Sequence, residues 1–494
     1  MKYISTRGAH ADGVSSAYAI KTGLASDGGL FMPESIPQIT EEELLLLADK
    51  SYEERAAYII GKFLTDYTYE ELLTDAKGAY AKEKFGPCPA PVKKLDGGHY
   101  VLELWHGPTS AFKDMALQIM PRLFTRALKK CNEMRTALIL VATSGDTGKA
   151  ALEGYRDVEG TKIKVFYPVE GVSKVQKLQM QTQEGNNVSV DAIVGNFDDA
   201  QSGVKRIFSD AEIAKKLDEN GVFLSSANSI NWGRLVPQIV YYVSAYLDMV
   251  RDGEIKMGEK IDICVPTGNF GNIFAAYIGK LMGMPFERFV CASNVNNVLT
   301  EFLECGTYDK NRTFHATVSP SMDILISSNL ERLLFTLIGP KATKEYMQKL
   351  MSDGKYTLSK EEFDRVKESF VGFYTTEEDT AKTIKEVYEK ENYLIDTHTA
   401  VAVCAAKRYM NAYGAERKIL TASTASPYKF AADVYKSLTD KSASSGLNAL
   451  SELSDYTSTE IPKPLAAVLT KEVIHKSVIE KSDMEKTVLD FAKN

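Results

Sequence analysis

From about residue 97 the chain alternates short β-branched runs with amphipathic segments, and this rhythm constrains its fold more than any other feature. ALILVATS, IKVFYPV, VSVDAIVG, VFLSSA and IDICVPTG are each followed by a segment of helical period. That is the pattern of parallel β/α units, an α/β fold with helices on both faces of its sheets. Right-handed crossovers bring the strand-to-helix loops to one sheet edge, where ligands bind. Before residue 97, Glu41 to Lys84 reads as acidic amphipathic helices, and FGPCPAPVKK (Phe85 to Lys94) has the proline density of a linker. At 494 residues the chain is too long for one core. The predicted division is a largely helical N-terminal lobe (1–95), a β/α domain (96–230) and a larger β/α domain (231–494). Ser321 to Lys390 reads as mainly helical; YLID, a helix from about His398 and KILTAST return to alternation, and the last forty residues read as peripheral helices.

Composition narrows the function classes. A net charge of -7 without a Lys/Arg block argues against nucleic-acid binding but leaves an anionic small substrate open. No run is long enough to span a bilayer and no cleavable signal is evident, so a cytoplasmic protein is expected, a monomer or small homo-oligomer without membrane partners. Six cysteines without a CxxC pair, and histidines without HExxH spacing, disfavour disulfides and structural zinc.

Five segments carry candidate chemistry. HGPTSAFKD (His106 to Asp114) places Lys113 at the start of a helix predicted to be capped by Ser110, with Phe112, Met115, Ala116, Ile119 and Leu123 on one face. A lysine there is usually solvated; partly withdrawn from water, its neutral amine can attack a carbonyl to form a Schiff base. ATSGDTGKAA (Ala142 to Ala151) resembles a phosphate-binding Walker loop, but Thr143 stands where glycine is needed and Ala150 where a hydroxyl is needed. What remains is a turn of Ser144, Gly145, Asp146 and Thr147, suited to a carboxylate at a helix N-terminus. PTGNFGN (Pro266 to Asn272) joins a strand to a helix and reads either as an ordinary turn or as a phosphate cradle. In SANSINWGRLVPQ, Arg234 is either a planar phosphate clamp beside Asn228, Ser229 and Asn231 or a surface arginine. TASTASPYKF (Thr421 to Phe430) ends a buried-looking strand in hydroxyls, with a capping cluster as the plainer reading. A reactive lysine, a phosphate cradle, a carboxylate loop and a partner for a pyridine nitrogen are the parts that pyridoxal phosphate catalysis on an amino acid requires.

The chain resembles, nearly end to end, the threonine synthase family of the pyridoxal phosphate fold type II group, whose other members include the tryptophan synthase β chain and serine/threonine dehydratases. The resemblance rests on YISTRG near Tyr3, GLASDGGLFMPE near Gly23, HGPTSAFKD, ATSGDTG, GVSKVQKLQM from Gly171, GNFDDAQ from Gly195, SANSINWGR, PTGNFGN, DTHTAVA from Asp396 and STASPYKF from Ser423. GNFDDAQ and SANSINWGR weigh most, since fold type II enzymes in general lack them. The resemblance implies two β/α domains with mainly parallel sheets plus the helical lobe. It implies that Lys113 anchors pyridoxal 5'-phosphate and that Gly268, Asn269, Phe270, Gly271 and Asn272 hold its phosphate. Ser144, Gly145 and Thr147 then receive the substrate carboxylate, Asp146 approaches the cofactor ring oxygen, and Thr424 faces the pyridine nitrogen. Ser229, Asn231 and Arg234 become candidates for the substrate phosphate.

Three departures stand out. Many relatives carry Asn at Asp146, so the carboxylate is expected either to turn away from the ring oxygen or to share a proton with it. Ser426 and Tyr428 replace the residues of a more usual STAHPAKF, which bears on specificity near the ring. Asp396, Thr397 and His398 replace a more usual DPHTA and are expected to alter only a turn. The implied reaction takes O-phospho-L-homoserine and water to L-threonine and phosphate. The alternatives are a lyase giving 2-oxobutyrate from the same substrate and a non-catalytic sensor on the same fold.

Overall fold

The computed structural model describes residues 1–493. Two sheets organise it. The first has six strands in the order Phe370–Tyr374, Phe286–Ser293, Ile261–Pro266, Ile419–Ser423, His99–Glu103 and Val92–Lys94. Its pairs are parallel except the last, where Val92–Lys94 lies antiparallel on the edge. The second sheet is parallel throughout, in the order Val478–Glu480, Val188–Val194, Thr161–Pro168, Thr136–Ala142 and Val222–Ser225. Central strands such as Ile261–Pro266 and Ile419–Ser423 are buried along their whole length, as expected of sheets covered on both faces.

The acidic helices of the N-terminal lobe form as their caps dictate. Thr40 with Glu43, Ser51 with Glu54 and Thr68 with Glu71 make capping boxes at the starts of Glu41–Ala48, Tyr52–Phe63 and Tyr69–Ala79. Glutamates in these first turns also face the positive helix ends, which accounts for the acidic character of the segment. The lobe packs on the helix Trp232–Arg251, which also touches Gly271–Leu281 and the short helix Asp114–Leu117. This central helix is buried over most of its length, so it carries almost no polar face.

The linear division at 95/96 and 230/231 does not follow the sheets. Val92–Lys94 and His99–Glu103 join the sheet built mostly from the C-terminal half, because strand pairing is decided by packing and not by order in the chain. Phe370–Tyr374 is an edge strand inside the stretch read as helical. YLID forms no strand; its Asp396 instead caps the helix Thr397–Tyr413. The last residues do more than surround the fold. Val478–Glu480 extends the second sheet, and the helix Met484–Lys493 seals that sheet's core through Met484, Val488 and Ala492.

Candidate active site

The segments around Lys113 and Thr424 meet through backbone pairing. Phe112 N donates to Thr424 O at 2.8 Å, Ser426 N donates to Ser110 O at 3.0 Å, and Ala111 bridges Ala425. This pairing changes the expected helix start. Ser110 has φ 59 and caps nothing; the helix begins at Asp114, with Lys113 in the cap position. The turn is held by Asp114, whose carboxylate accepts from Thr109 N at 2.8 Å and Thr109 Oγ1 at 2.7 Å. Burial pushes the Asp114 carboxyl up to about 6, against the pull of those two bonds. Lys113 is half-buried with its Nζ 4.6 Å from the centre of the Phe112 ring. Desolvation, reinforced by Arg234 and Lys429 and opposed by Asp146, lowers its amine to about 8.

The carboxylate-type loop follows the strand Thr136–Ala142. Thr143 Oγ1 accepts from Gly145 N at 3.0 Å and Gly148 N at 2.9 Å, which tightens the turn into the helix Asp146–Tyr155. Gly145 sits at φ 146, and a Cβ there would lie 2.5 Å from the Gln176 side chain, so glycine is required twice over. Asp146 does not sit unpaired. Its Oδ1 lies 2.7 Å from Lys429 Nζ and accepts from Gln176 Nε2 at 2.7 Å. Burial alone would raise this carboxyl, but Lys429, Lys113 and the Gln176 bond hold it at about 2. The charge of the carboxylate is therefore balanced within the protein by Lys429 and the Gln176 amide. Ser144 and Thr147 remain half-buried beside it.

The phosphate-type loop is built to leave donors unclaimed. Phe270 adopts the left-handed conformation at the N-cap of Gly271–Leu281 and supplies no side-chain cap, so no cap side chain claims the first N–H groups of the helix. A Cβ at Gly268 would meet Ser321 O at 2.5 Å. The loop's carbonyls are tied back: Ser327 Oγ donates to Gly268 O at 2.7 Å, and Asn329 donates to Asn269 O from N at 3.0 Å and from Nδ2 at 2.9 Å. Asn272 Oδ1 accepts from Tyr241 and Tyr242 hydroxyls, both at 2.6 Å. Its buried Nδ2 finds no partner among the described residues, leaving one oriented donor beside the helix end.

SANSINWGR splits into different roles. Ser229 Oγ accepts from Asn329 Nδ2 at 3.1 Å, which places it against the phosphate-type loop. Asn231 is fully buried and engaged at both ends: Oδ1 caps Gly233 N at 2.9 Å and Nδ2 donates to Ile20 O at 2.8 Å. It anchors the N-terminal lobe, and its expected place in a substrate site is corrected to a structural one. Arg234 is buried, not on the surface. It donates to Ala227 O, its Nε has no partner, and burial lowers its guanidinium to about 10. Among the described residues no carboxylate pairs with it, so its buried charge lacks a counterion from the protein.

Thr424 is nearly buried, and its hydroxyl forms no hydrogen bond among the described residues, although its neighbour Ser423 Oγ accepts from Trp105 Nε1 at 3.0 Å and Thr399 Oγ1 at 2.9 Å. Ser426 Oγ caps Tyr428 N at 3.3 Å, and the Tyr428 hydroxyl meets Thr459 Oγ1 at 2.6 Å, so both departures serve local structure. The change at Asp396, Thr397 and His398 reaches further than a turn. His398 Nδ1 donates to Asp396 at 2.9 Å, and its Nε2 accepts from Ser321 N at 3.1 Å, the residue whose carbonyl walls Gly268.

Three residues that sequence reasoning passed over complete the site: Lys429, Gln176 and Asn329. Gln176 was legible in part, since Ser173 and Gln176 form a capping box inside GVSKVQKLQM. Lys429 stood in a quoted motif between the apolar Tyr428 and Phe430. Asn329 had no local signal, because its partners lie about a hundred and about sixty positions away.

Comparison with known proteins accords with this geometry. Residues 2–80 match the family described as threonine synthase N terminus, 84–425 the family of pyridoxal-phosphate dependent enzymes, and 399–487 the family described as threonine synthase, C-terminal. Threonine synthase of Pseudomonas aeruginosa is 40% identical over 442 residues, covering 88% of this chain and 90% of that protein. Human threonine synthase-like 1 is 40% identical over 433 residues, and the match takes in 85% of this chain but 57% of that longer protein. Among solved structures, a pyridoxal-phosphate-bound threonine synthase from Brucella melitensis has TM-score 0.88 at 36% identity, covering 100% of both chains. The yeast enzyme has TM-score 0.88 at 33% identity, covering 99% of this chain and 97% of that one.

Proposed function

This chain belongs to the threonine synthase family of pyridoxal-phosphate-dependent enzymes, and from that premise we propose that it converts O-phospho-L-homoserine and water to L-threonine and phosphate. The observation that carries the reading is the backbone pairing of residues 110–112 with 424–426, which joins the segment bearing Lys113 to the segment bearing Thr424.

The residues present fit pyridoxal 5'-phosphate. The unclaimed N–H groups at Gly271–Leu281, the orphan Asn272 Nδ2 and the Gly268 cradle suit its phosphate, Lys113 its carbonyl carbon, and Thr424 its ring nitrogen. When bound, the cofactor supplies an electrophilic carbonyl and an electron-withdrawing ring that acidifies the substrate's Cα–H. The protein does the rest. An amine titrating at about 8 is neutral in roughly one molecule in ten at pH 7, far more often than a solvated lysine. Lys113 takes the proton from Cα and then one from Cβ as phosphate leaves Cγ, and it returns protons to Cγ and Cα as water adds at Cβ, so one group serves as base and acid in turn. Thr424, a hydroxyl and not a carboxylate, leaves a facing pyridine nitrogen mostly unprotonated, which limits electron withdrawal and favours elimination over racemisation. Ser144, Gly145 and Thr147 at the start of Asp146–Tyr155 receive the substrate carboxylate. Arg234 and Ser229 supply a cation and a hydroxyl for the substrate phosphate, and burial strengthens the guanidinium's hold on a dianion.

We propose a cytoplasmic location and a monomer or small homo-oligomer. No helix among the described residues is long and apolar enough to cross a membrane. The test is incubation of the cofactor-loaded protein with phosphohomoserine while threonine, phosphate and 2-oxobutyrate are followed together. Equal release of threonine and phosphate supports the reading, whereas phosphate with 2-oxobutyrate assigns the lyase and neither product assigns the sensor. Lys113→Ala is expected to abolish the visible absorbance of lysine-linked cofactor.

A further inference from the structure

Lys429 is the junction of the site. Its side chain is fully buried, and its Nζ lies 2.7 Å from Asp146 Oδ1 and 3.0 Å from Thr109 O. Lys429 itself belongs to the turn Pro427–Phe430, which follows Thr424. The segment bearing the reactive amine, the carboxylate loop and the segment facing the ring nitrogen thus converge on one ammonium. A lysine is not buried at this depth for packing alone, since desolvating the charge is costly unless a partner compensates.

Asp146 has two ammoniums within electrostatic reach, Lys429 and Lys113, and the neutral amide of Gln176. The groups bearing on Lys113 are Asp146 from the helix Asp146–Tyr155, Arg234 from the helix Trp232–Arg251 and Lys429 from its own turn. Asp114 follows Lys113 in the chain but is turned onto Thr109, and from the helix Lys174–Gln181 the buried Gln176 and Gln179 reach Asp146 and Thr109. The carboxylate can therefore neutralise one lysine or the other, and the contacts assign it to Lys429.

We propose that Lys429 is a positioning residue that holds the charge of Asp146 away from Lys113, so that the reactive amine keeps a neutral fraction and the reaction runs near neutral pH. The inference rests on Lys113 being the cofactor lysine. Without Lys429, two changes act in the same direction: a repelling cation is lost, and Asp146 is released to pair with Lys113. Both keep Lys113 protonated to higher pH.

The test uses full-length protein freed of cofactor and acetylated with acetic anhydride across neutral and alkaline pH, with Lys113 modification read by peptide mass spectrometry. Lys429→Met is expected to move the Lys113 midpoint up by ~1 pH unit or more. Asp146→Asn is expected to move it down, and Lys429→Arg to restore it close to wild type. In the loaded enzyme the acidic limb of kcat/KM should follow the same shifts. Activity lost in Lys429→Met with the Lys113 midpoint unmoved, or Asp146→Asn shifting it upward, would overturn the proposal. Should Lys429→Met not fold, Asp146→Asn and Lys429→Arg still decide it. The acetylation contains no cofactor, so its failure is distinct from that of the functional reading, which Lys113→Ala tests.

Discussion

Lys113 shows how far a residue's chemistry depends on its surroundings. Its identity and its place after a turn of small residues are written in HGPTSAFKD, but the motif by itself reads first as a solvated lysine. Packing decides, by drawing the amine down to about 8 from the ordinary lysine value of 10.5. This has a consequence for stability. Below pH 8 both folded and unfolded chains carry the charge, and the folded state bears the cost of burying it. Between about 8 and about 10.5 the unfolded chain binds more protons, so stability rises with pH. Lys113→Met is therefore expected to raise the Tm of cofactor-free protein, with a gain that is largest below pH 8 and fades toward pH 10.5; a gain independent of pH would place the ammonium in solvent. Arg234 and Asn231 stand three positions apart in one motif and reverse their apparent promise. The arginine that read either as a phosphate clamp or as a surface group is buried and short of partners, and the asparagine that read as a ligand is committed to a cap and to Ile20.

At the scale of elements, local pattern was most legible where it acts locally. The glycine loops and the strand before each helix are properties of neighbouring residues, and they stand where the sequence puts them, whereas the cap expected at Ser110 does not form. Glycines in the phosphate-type loop nevertheless differ in kind. A Cβ at Gly268 would press on the backbone oxygen of Ser321 at 2.5 Å, whereas one at Gly271 would stand 3.3 Å from the Asn329 side chain, which can shift. Gly268→Ala is expected to weaken pyridoxal phosphate binding by at least about tenfold, roughly the effect of one lost oriented hydrogen bond to a charged group. Gly271→Ala should change it by less than about threefold, and fluorescence titration of cofactor into both variants makes the comparison. Equal losses would mean that the loop, and not the Ser321 wall, limits the cradle. The missed strand Phe370–Tyr374 has a similar lesson: FVGFY is short and flanked by helices, and only the neighbouring strand Phe286–Ser293 makes it part of a sheet.

Over the whole molecule, the C-terminal helix does work that its peripheral appearance concealed. Met484 is fully buried against Gly203, where a Cβ would lie 2.4 Å from the Met484 sulfur, and it closes the core of the second sheet with Val488. Met484→Ala is expected to cost about 2–5 kcal/mol in urea unfolding while leaving KM for phosphohomoserine unchanged; a loss under 1 kcal/mol would show the helix to be loosely held. The sequence by itself determined the parallel β/α character of the chain, the helical character of its first lobe and the residue types at each loop, because hydrophobic period and turn chemistry act over a few residues. Tertiary structure alone decided which strands share a sheet, that Arg234 is buried and that Asp146 answers to Lys429. Those depend on contacts such as Lys429 to Thr109, 320 positions apart, and Thr6 to Glu331, 325 apart. No local pattern encodes such contacts; they follow from how a compact core brings distant polar groups together and obliges each to find a partner.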